Sequence, residues 1–159
     1  MNAPLRPPAH PEARLVKHLF TLDDVLAMTA QGLLDRRCEL LDGEIFDMPA
    51  DGPPHARYTM AMARHLMSSV AATMFVGVQT TLRLSAHNAP SPDIFVLSGP
   101  LPDGDVPPES ILLVVEVADT SLKTNLTDSA DRYARLGVRE YWVVDVHAQA
   151  TKAWLDRSK

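Results

Sequence analysis

Two acidic residues stand in strongly apolar surroundings in the second half of this 159-residue chain. Asp93 opens the run Ile94–Leu97, and Glu116 interrupts the apolar run 111–117. Each has an ordinary interpretation, because Ser-Pro-Asp is common in turns and Glu116 could point outward from an edge strand. Carboxylates are, however, rarely buried without a partner. The position of the two acids relative to each other therefore decides what they can do.

A β-hairpin would bring the two acids together. The segment between the two runs is rich in proline and glycine, which favours a loop between two strands. In an antiparallel pair, residues at equal distance from the turn centre face each other. The midpoint between Asp93 and Glu116 falls between Gly104 and Asp105, inside that loop. The two side chains are thus predicted to lie on one face, with Cβ atoms about 5 Å apart.

Two carboxylates at this separation predict a metal site. They repel each other, and in a half-buried site they either share a proton or bind a cation. A hard divalent ion, Mg²⁺ or Mn²⁺, is the cation that carboxylate oxygens prefer. Such an ion polarises a phosphodiester and lowers the pKa of a water molecule. Asp93 and Glu116 are therefore predicted metal ligands, and phosphodiester hydrolysis is the predicted chemistry.

The elements that must position these acids follow from local patterns. Thr21 is a typical helix N-cap before two acids, Asp42-Gly43 between short apolar runs indicates a hairpin, and Gly137 is a typical helix stop. The predicted elements are a helix over 22–30, a hairpin over 38–48, a helix of about five turns from Pro53, strands over 74–84, 93–97 and 111–117, a helix over 125–136, and strands over 140–146 and 151–155. This order predicts an α/β fold with a mixed sheet.

Composition and charge narrow the class of protein. The hydrophobic content of 46% and charged content of 22% are those of a globular protein. We predict a flexible, proline-rich arm over 1–14 and a single domain over 15–159. The lone Cys38 and the lack of an apolar leader or spanning segment predict a cytoplasmic protein with no membrane partner. The net charge of −5 argues against a bulk nucleic-acid binder, but not against a nuclease built on carboxylates.

Several segments also carry a family resemblance. These are CELLDGEIFDM, PPHARYTMAMARHL, SPDIFV, LLVVEVADTSL and RYARLGVREYWVVDV. With them the chain resembles the Uma-type putative restriction endonuclease family of the PD-(D/E)XK nuclease superfamily. The resemblance implies a restriction-endonuclease-like αβββαβ core, with an added N-terminal β-hairpin, and a Mg²⁺-dependent or Mn²⁺-dependent DNA endonuclease. It makes Asp93 and Glu116 the metal-binding acids and Glu44 and His55 further catalytic positions.

One part of the family pattern is missing. The superfamily normally has lysine two residues after the second acid, where this chain has Ala118. The Uma-type family instead carries an Asp and a Lys on the next helix, before a tyrosine; here these positions are Asn125 and Ser129, with Tyr133 in place. Lysine would orient the attacking water and stabilise the developing charge. An alternative is therefore a catalytically degenerate binding or regulatory module with the nuclease fold.

Two other cations are candidates for binding phosphate. Arg132 lies one turn after Ser129 on the same helical stripe; its guanidinium can hold transition-state charge, although it cannot act as a base. Lys123, just before the predicted helix, is the second candidate. DNA is the expected partner of an active enzyme. A third interpretation, permitted by the apolar strand EYWVVDV, is a structural protein that forms a homodimer through its sheet.

Overall fold

The computed structural model describes residues 15–34 and 37–155. The arm predicted over 1–14 therefore lies outside the described residues. The helices are α1 (Leu22–Ala30), α2 (Pro53–Ser69), α3 (Leu122–Thr124) and α4 (Ala130–Arg135), with a π-helical turn (Asn125–Ser129) joining the last two. The strands are β1 (Cys38–Leu41), β2 (Glu44–Asp47), β3 (Phe75–Val78), β4 (Ile94–Leu97), β5 (Ile111–Ala118), β6 (Glu140–Asp145) and β7 (Ala150–Leu155). No helix within these ranges is long and apolar enough to cross a membrane.

The predicted mixed sheet is confirmed. Its five strands lie in the order β3-β4-β5-β6-β7, and β1 and β2 form a separate hairpin. Only β5 and β6 pair in parallel; the other neighbours within the described sheet are antiparallel. A parallel pair needs a crossover connection, and the helical segment from α3 to α4 provides it. The αβββαβ order therefore runs from α2 to β6, and β7 adds an edge strand.

Each face of the sheet carries one hydrophobic core. Successive side chains of a strand point to opposite faces, so β5 contributes to both cores. Val115 and Val117 pack in a cluster with Leu66 of α2, whereas Val114 packs in a cluster with Tyr133 of α4. Glu116 lies between Val115 and Val117 and belongs to the Tyr133 face. The fold thus directs this acid toward the crossover helix.

The strand predicted over 74–84 is shorter than its sequence pattern indicates. β3 ends at Val78, and Gln79 adopts a left-handed backbone conformation with φ of 46°. Beyond it, the backbone N–H of Leu82 donates to Pro90 O at 2.7 Å, and that of Leu84 donates to Asn88 O at 2.9 Å. Both leucines are buried all the same. Their alternation therefore reflects packing into the core and not a continuation of β3.

α1 begins with the predicted cap, a capping box between Thr21 and Asp24.

Long-range contacts attach the N-terminal hairpin to the sheet. The backbone N–H of Ala89 donates to Leu40 O at 2.8 Å, and the Asn88 side chain accepts from the Asp42 N–H at 2.9 Å. These bonds bring β1 beside the segment that leads into β4.

Candidate active site

A cleft of about 430 Å³ opens at the end of the sheet where β4 begins and β5 ends. Strongly polar side chains line it. The acids among them are Glu39, Asp47, Asp51, Asp93, Glu116 and Asp119, and the other polar side chains are His55, Ser91, Thr120, Ser121, Asn125 and Ser129. Neither lysine nor arginine is among its described lining residues. The cleft is therefore strongly acidic.

The predicted pairing of the two central acids is confirmed. Ile94 pairs with Val115 and Phe95 with Val114, and the same register, extended by one residue, places Asp93 opposite Glu116. The carboxylate of Asp93 accepts a hydrogen bond from the Val117 backbone N–H at 2.8 Å. In return, the backbone N–H of Asp93 donates to the Glu116 carboxylate. The register shifts only between Val96 and Leu97, away from the acids.

Glu116 is held in a site that resists its ionisation. Burial raises the pKa of Glu116 well above its usual value, and the charges of Asp93 and Glu39 raise it further. The Tyr133 hydroxyl partly offsets this by donating to Glu116 Oε1 at 3.1 Å. Burial also raises the pKa of Tyr133 well above its usual value, so this phenol stays a donor. In the absence of a cation, Glu116 therefore tends to keep its proton.

His55 lies next to Asp93, as expected from the resemblance. The ring comes from the first turn of α2 and is buried. Its Nε2 lies 3.0 Å from Asp93 Oδ2, and its Nδ1 lies 3.5 Å from an Asp51 carboxylate oxygen. The hydrogen bond to Asp93 is the main reason why the pKa of His55 is raised. Burial alone would lower this pKa, but its effect is smaller. The imidazole can therefore donate to Asp93 and fix its orientation.

The hairpin contributes a different glutamate from the predicted one. Glu44 lies on β2, partly exposed, forms an ion pair with Lys17 and is not among the lining residues of the cleft. Glu39 on β1 does line the cleft, and its Oε1 accepts the Ser91 backbone N–H at 2.7 Å. Burial raises the pKa of Glu39. Its signal was present in the sequence: like Glu116, it is an isolated acid in a short apolar strand.

The two positions where the family pattern is lost both line the cleft. Asn125 and Ser129 begin and end the π-helical turn, where a regular α-helix was predicted. The Asn125 side-chain amide donates to Ser121 Oγ at 3.1 Å, and its backbone carbonyl accepts from the Tyr141 hydroxyl at 3.0 Å. The Tyr141 hydroxyl also hydrogen-bonds the Ser129 side chain. Neutral hydrogen bonds thus occupy this side of the cleft, and π turns often occur at functional sites.

The two predicted phosphate-binding cations lie beside the cleft. Arg132 is partly buried; its Nε lies 3.7 Å from Asp42 Oδ2 and has no hydrogen-bond partner in the described part of the chain. Its charge also lowers the pKa of Glu39. Lys123 is exposed on α3, between the cleft residues Ser121 and Asn125. Neither cation lines the cleft, and their contact with phosphate stays a prediction.

The donor set suits one kind of metal. Among the described residues, no group of three or more His, Cys, Asp and Glu side chains has the arrangement of a metal site. Zinc sites need three or four such ligands. Mg²⁺ in contrast commonly uses one or two carboxylates and completes its shell with water and substrate phosphate. The pair of Asp93 and Glu116 fits this second pattern.

The chain is similar to proteins described as nucleases. The family model Uma2, described as "Putative restriction endonuclease", matches residues 22–156. No curated protein matches the sequence. The crystal structure of a putative nuclease belonging to DUF820 from Anabaena variabilis ATCC 29413 has a TM-score of 0.66 and 16% sequence identity, covering 88% of this chain and 82% of that chain. At this identity the likeness shows the fold alone. Because the family model spans most of the sequence, the chain belongs to the Uma2 putative restriction endonuclease family.

Proposed function

We propose that this protein is a divalent-metal-dependent DNA endonuclease. One observation carries the proposal: the carboxylates of Asp93 and Glu116 face each other at the open end of the sheet, in a register fixed by backbone hydrogen bonds. Membership of the Uma2 family supports the same class of reaction. The chain's own residues would hold the metal and orient the two acids.

Asp93 and Glu116 would hold Mg²⁺ or Mn²⁺. In Asp93 both contacts fall on Oδ2, from the Val117 N–H and from His55 Nε2, so Oδ1 remains for the metal. The Tyr133 hydroxyl holds the Glu116 side chain by donating a hydrogen bond to its Oε1. The bound cation would polarise the phosphate and lower the pKa of a water molecule. The partners of each carboxylate orient it, as the outer contacts of metal ligands usually do.

The acidic cleft makes DNA binding depend on the cation. A phosphate group entering a cleft lined by six acids is repelled until a divalent ion compensates part of their charge. Lys123, exposed between the cleft residues Ser121 and Asn125, would contact the backbone of an approaching strand. Arg132 would contribute only if its side chain left Asp42. We infer that DNA binding and metal binding are coupled in this protein.

Nicking of supercoiled plasmid tests the proposal. Wild type is compared with Asp93→Asn in Mg²⁺ or Mn²⁺, and EDTA provides the metal-free reference. Asparagine keeps an acceptor for the Val117 N–H but loses the charge, so the nicking rate should fall by about 100-fold or more. Asp103→Asn, on an exposed loop residue, is the matched control and should retain wild-type nicking. Metal-dependent nicking that persists in Asp93→Asn would contradict the proposal.

A catalytically degenerate binding module is the second candidate. The observation that favours it is that Ser129 and Asn125 make neutral hydrogen bonds where family members carry charged groups. The double variant Asn125→Asp with Ser129→Lys distinguishes the two candidates. Nicking that appears only in the double variant would favour degeneracy, whereas an active wild type would exclude it.

Homodimer formation through a sheet edge stays a prediction, which gel filtration can test.

A further inference from the structure

We propose that Glu39 is the general base of this site, whose free carboxylate oxygen accepts the proton of the water that attacks the phosphorus. The inference rests on the proposed nuclease function and deepens it. It concerns the problem posed by Ala118 and Ser129, which leave the chain without a lysine at either family position.

The fold holds Glu39 beside the two central acids. The backbone pairing of Leu40 with Ala89 attaches β1 to the segment leading into β4. The Ser91 N–H, two residues before Asp93, then fixes Glu39 Oε1 at 2.7 Å. Within the described residues this is the one hydrogen bond made by the Glu39 carboxylate. No described residue hydrogen-bonds its second oxygen, Oε2, and Glu39 lines the same cleft as Asp93 and Glu116.

A purely structural role does not explain a carboxylate here. Accepting one backbone N–H requires only a neutral oxygen, and burying an ionisable acid is unfavourable. Burial raises the pKa of Glu39, and Asp93 raises it further, whereas the charges of Arg132 and Arg37 lower it. Glu116, the Tyr133 phenol and the Cys38 thiol are further titratable groups that interact with it. A half-buried acid with a raised pKa, such as Glu39, is better matched to proton transfer near neutral pH than an exposed one.

The other acids and the histidine of the cleft are already engaged. Asp93 and Glu116 are the proposed metal ligands. His55 is held between Asp93 and Asp51, with its Nε2 3.0 Å from Asp93 Oδ2 and its Nδ1 3.5 Å from Asp51 Oδ1, so both ring nitrogens are engaged. Asp119 forms an ion pair with His147 at 3.0 Å. Asp47 is the remaining acid, and it is exposed. Glu39 is thus the half-buried acid of the cleft whose second carboxylate oxygen has no hydrogen-bond partner among the described residues.

The proposed step balances without a further reactant. An O–H bond of water breaks and its proton passes to Glu39 Oε2, while the water oxygen forms a bond to phosphorus. The bond from phosphorus to the leaving sugar oxygen breaks, and that oxygen keeps the electron pair and takes a proton from solvent. Glu39 then returns its proton to solvent. Phosphodiester and water are consumed, and a phosphomonoester and an alcohol are formed.

Glu39→Gln tests the role, because glutamine keeps an oxygen for the Ser91 N–H but cannot accept the proton. Plasmid nicking is measured in Mn²⁺ between pH 5.5 and 9, together with the Mn²⁺-induced shift of the melting temperature. We expect the nicking rate to fall by about 100-fold or more. The decrease of the wild-type rate at low pH, which reflects protonation of Glu39, should be absent from the pH–rate profile of the variant. The Mn²⁺-induced shift should match wild type. Glu109→Gln, on an exposed residue outside the cleft, is the matched control.

Each result separates this inference from the proposed function. A wild-type protein that does not nick DNA overturns both. An active wild type with Glu39→Gln within threefold of it overturns only the role of Glu39. Loss of both nicking and the Mn²⁺ shift would make Glu39 a metal ligand and would also overturn the proposed role. If Glu39→Gln fails to fold, Glu39→Asp replaces it; a folded aspartate variant with an unshifted acid limb and wild-type rate contradicts the proposal.

Discussion

The carboxylate of Asp93 accepts a 2.8 Å hydrogen bond from the backbone N–H of Val117, the residue that follows Glu116. The Asp93 N–H donates to the Glu116 carboxylate in return. This reciprocal pair of bonds joins the entry of β4 to the end of β5. These contacts keep the two carboxylates close together, where the charge of Asp93 disfavours ionisation of Glu116. The site is therefore strained electrostatically until a proton or a cation is present.

Replacing Glu116 with glutamine should stabilise the metal-free protein at alkaline pH. The raised pKa of Glu116 means that the folded state holds a proton that the unfolded state, with a pKa near 4.5, has released. Stability from this group is full below pH 4.5 and falls as the pH rises toward the folded pKa. Glu116→Gln removes that fall, so at pH 8 its free energy of unfolding should exceed that of wild type by about 1 kcal/mol. Urea denaturation at pH 5 and pH 8 measures the difference.

The same variant should lose its response to metal. Mn²⁺ at pH 8 should raise the melting temperature of wild type, because binding to the folded state alone stabilises it. Glu116→Gln should show little or no rise. Glu109→Gln, which alters an exposed acid, should follow wild type in both measurements. A wild-type protein whose stability is unchanged between pH 5 and pH 8, and which does not respond to Mn²⁺, would contradict this electrostatic description.

Removing the Tyr133 hydroxyl should matter most when Glu116 is ionised. Tyr133→Phe deletes the donor that lies 3.1 Å from Glu116 Oε1. A hydrogen bond to a charged, partly buried acceptor contributes about 2 kcal/mol, so the loss should be small at pH 5 and approach that value as the pH rises through the raised pKa of Glu116. Chemical denaturation at pH 5 and at a series of alkaline pH values measures it. Tyr58→Phe, on the half-buried Tyr58 of α2, is the control and should show no such pH dependence.

His55 should contribute stability that disappears as the pH rises. Its pKa is raised from 6.5, chiefly by the hydrogen bond to Asp93. The contribution is therefore complete below pH 6.5 and is lost as the pH passes through the folded pKa. In His55→Gln that part of the pH dependence should be absent, as thermal melts from pH 5 to pH 9 would show. His65→Gln, on an exposed residue of the same helix, should keep the wild-type profile. Identical profiles for His55→Gln and wild type would exclude this contribution.

The part of the site formed by neighbouring strands could be predicted from sequence. The facing of Asp93 and Glu116 follows from the symmetry of a hairpin, which depends only on the position of the turn. The cap of α1 was equally local, since Thr21 and Asp24 are three residues apart. Both predictions are confirmed because each rests on one interaction between elements adjacent in the chain.

The part of the site formed by distant segments could not be predicted in this way. Glu39 reaches the cleft because Ala89 pairs with Leu40 and Ser91 binds the carboxylate, contacts that join segments about fifty residues apart. No periodicity in either segment specifies that pairing, and the family resemblance indicated Glu44 of the same hairpin instead. The π turn at 125–129 was missed for a similar reason. Its residues fit an α-helix, whereas the contact that distinguishes this turn is long-range: the backbone carbonyl of Asn125 accepts a hydrogen bond from the Tyr141 hydroxyl on β6.

The pairing of β3 with β4 depends on a glycine and can be tested independently of function. Gly77 faces Phe95 across the two strands, and a Cβ atom at Gly77 would lie 2.3 Å from the Phe95 ring. Phe95 is fully buried, so its ring has no free space to enter. Gly77→Ala should therefore lower the free energy of unfolding by about 1–3 kcal/mol, the range for overpacked cores.

Gly99→Ala is the matched control for this substitution, because nothing lies within 4 Å of a Cβ atom at Gly99. It should be neutral or slightly stabilising, since alanine restricts the unfolded chain more than glycine does. Urea denaturation of the two variants and wild type gives the comparison. If Gly77→Ala is as stable as Gly99→Ala, then Phe95 does not pack over Gly77. The register of β3 on β4, which also positions the Gln79 N–H that donates to Asp93 O at 2.9 Å, would then be wrong.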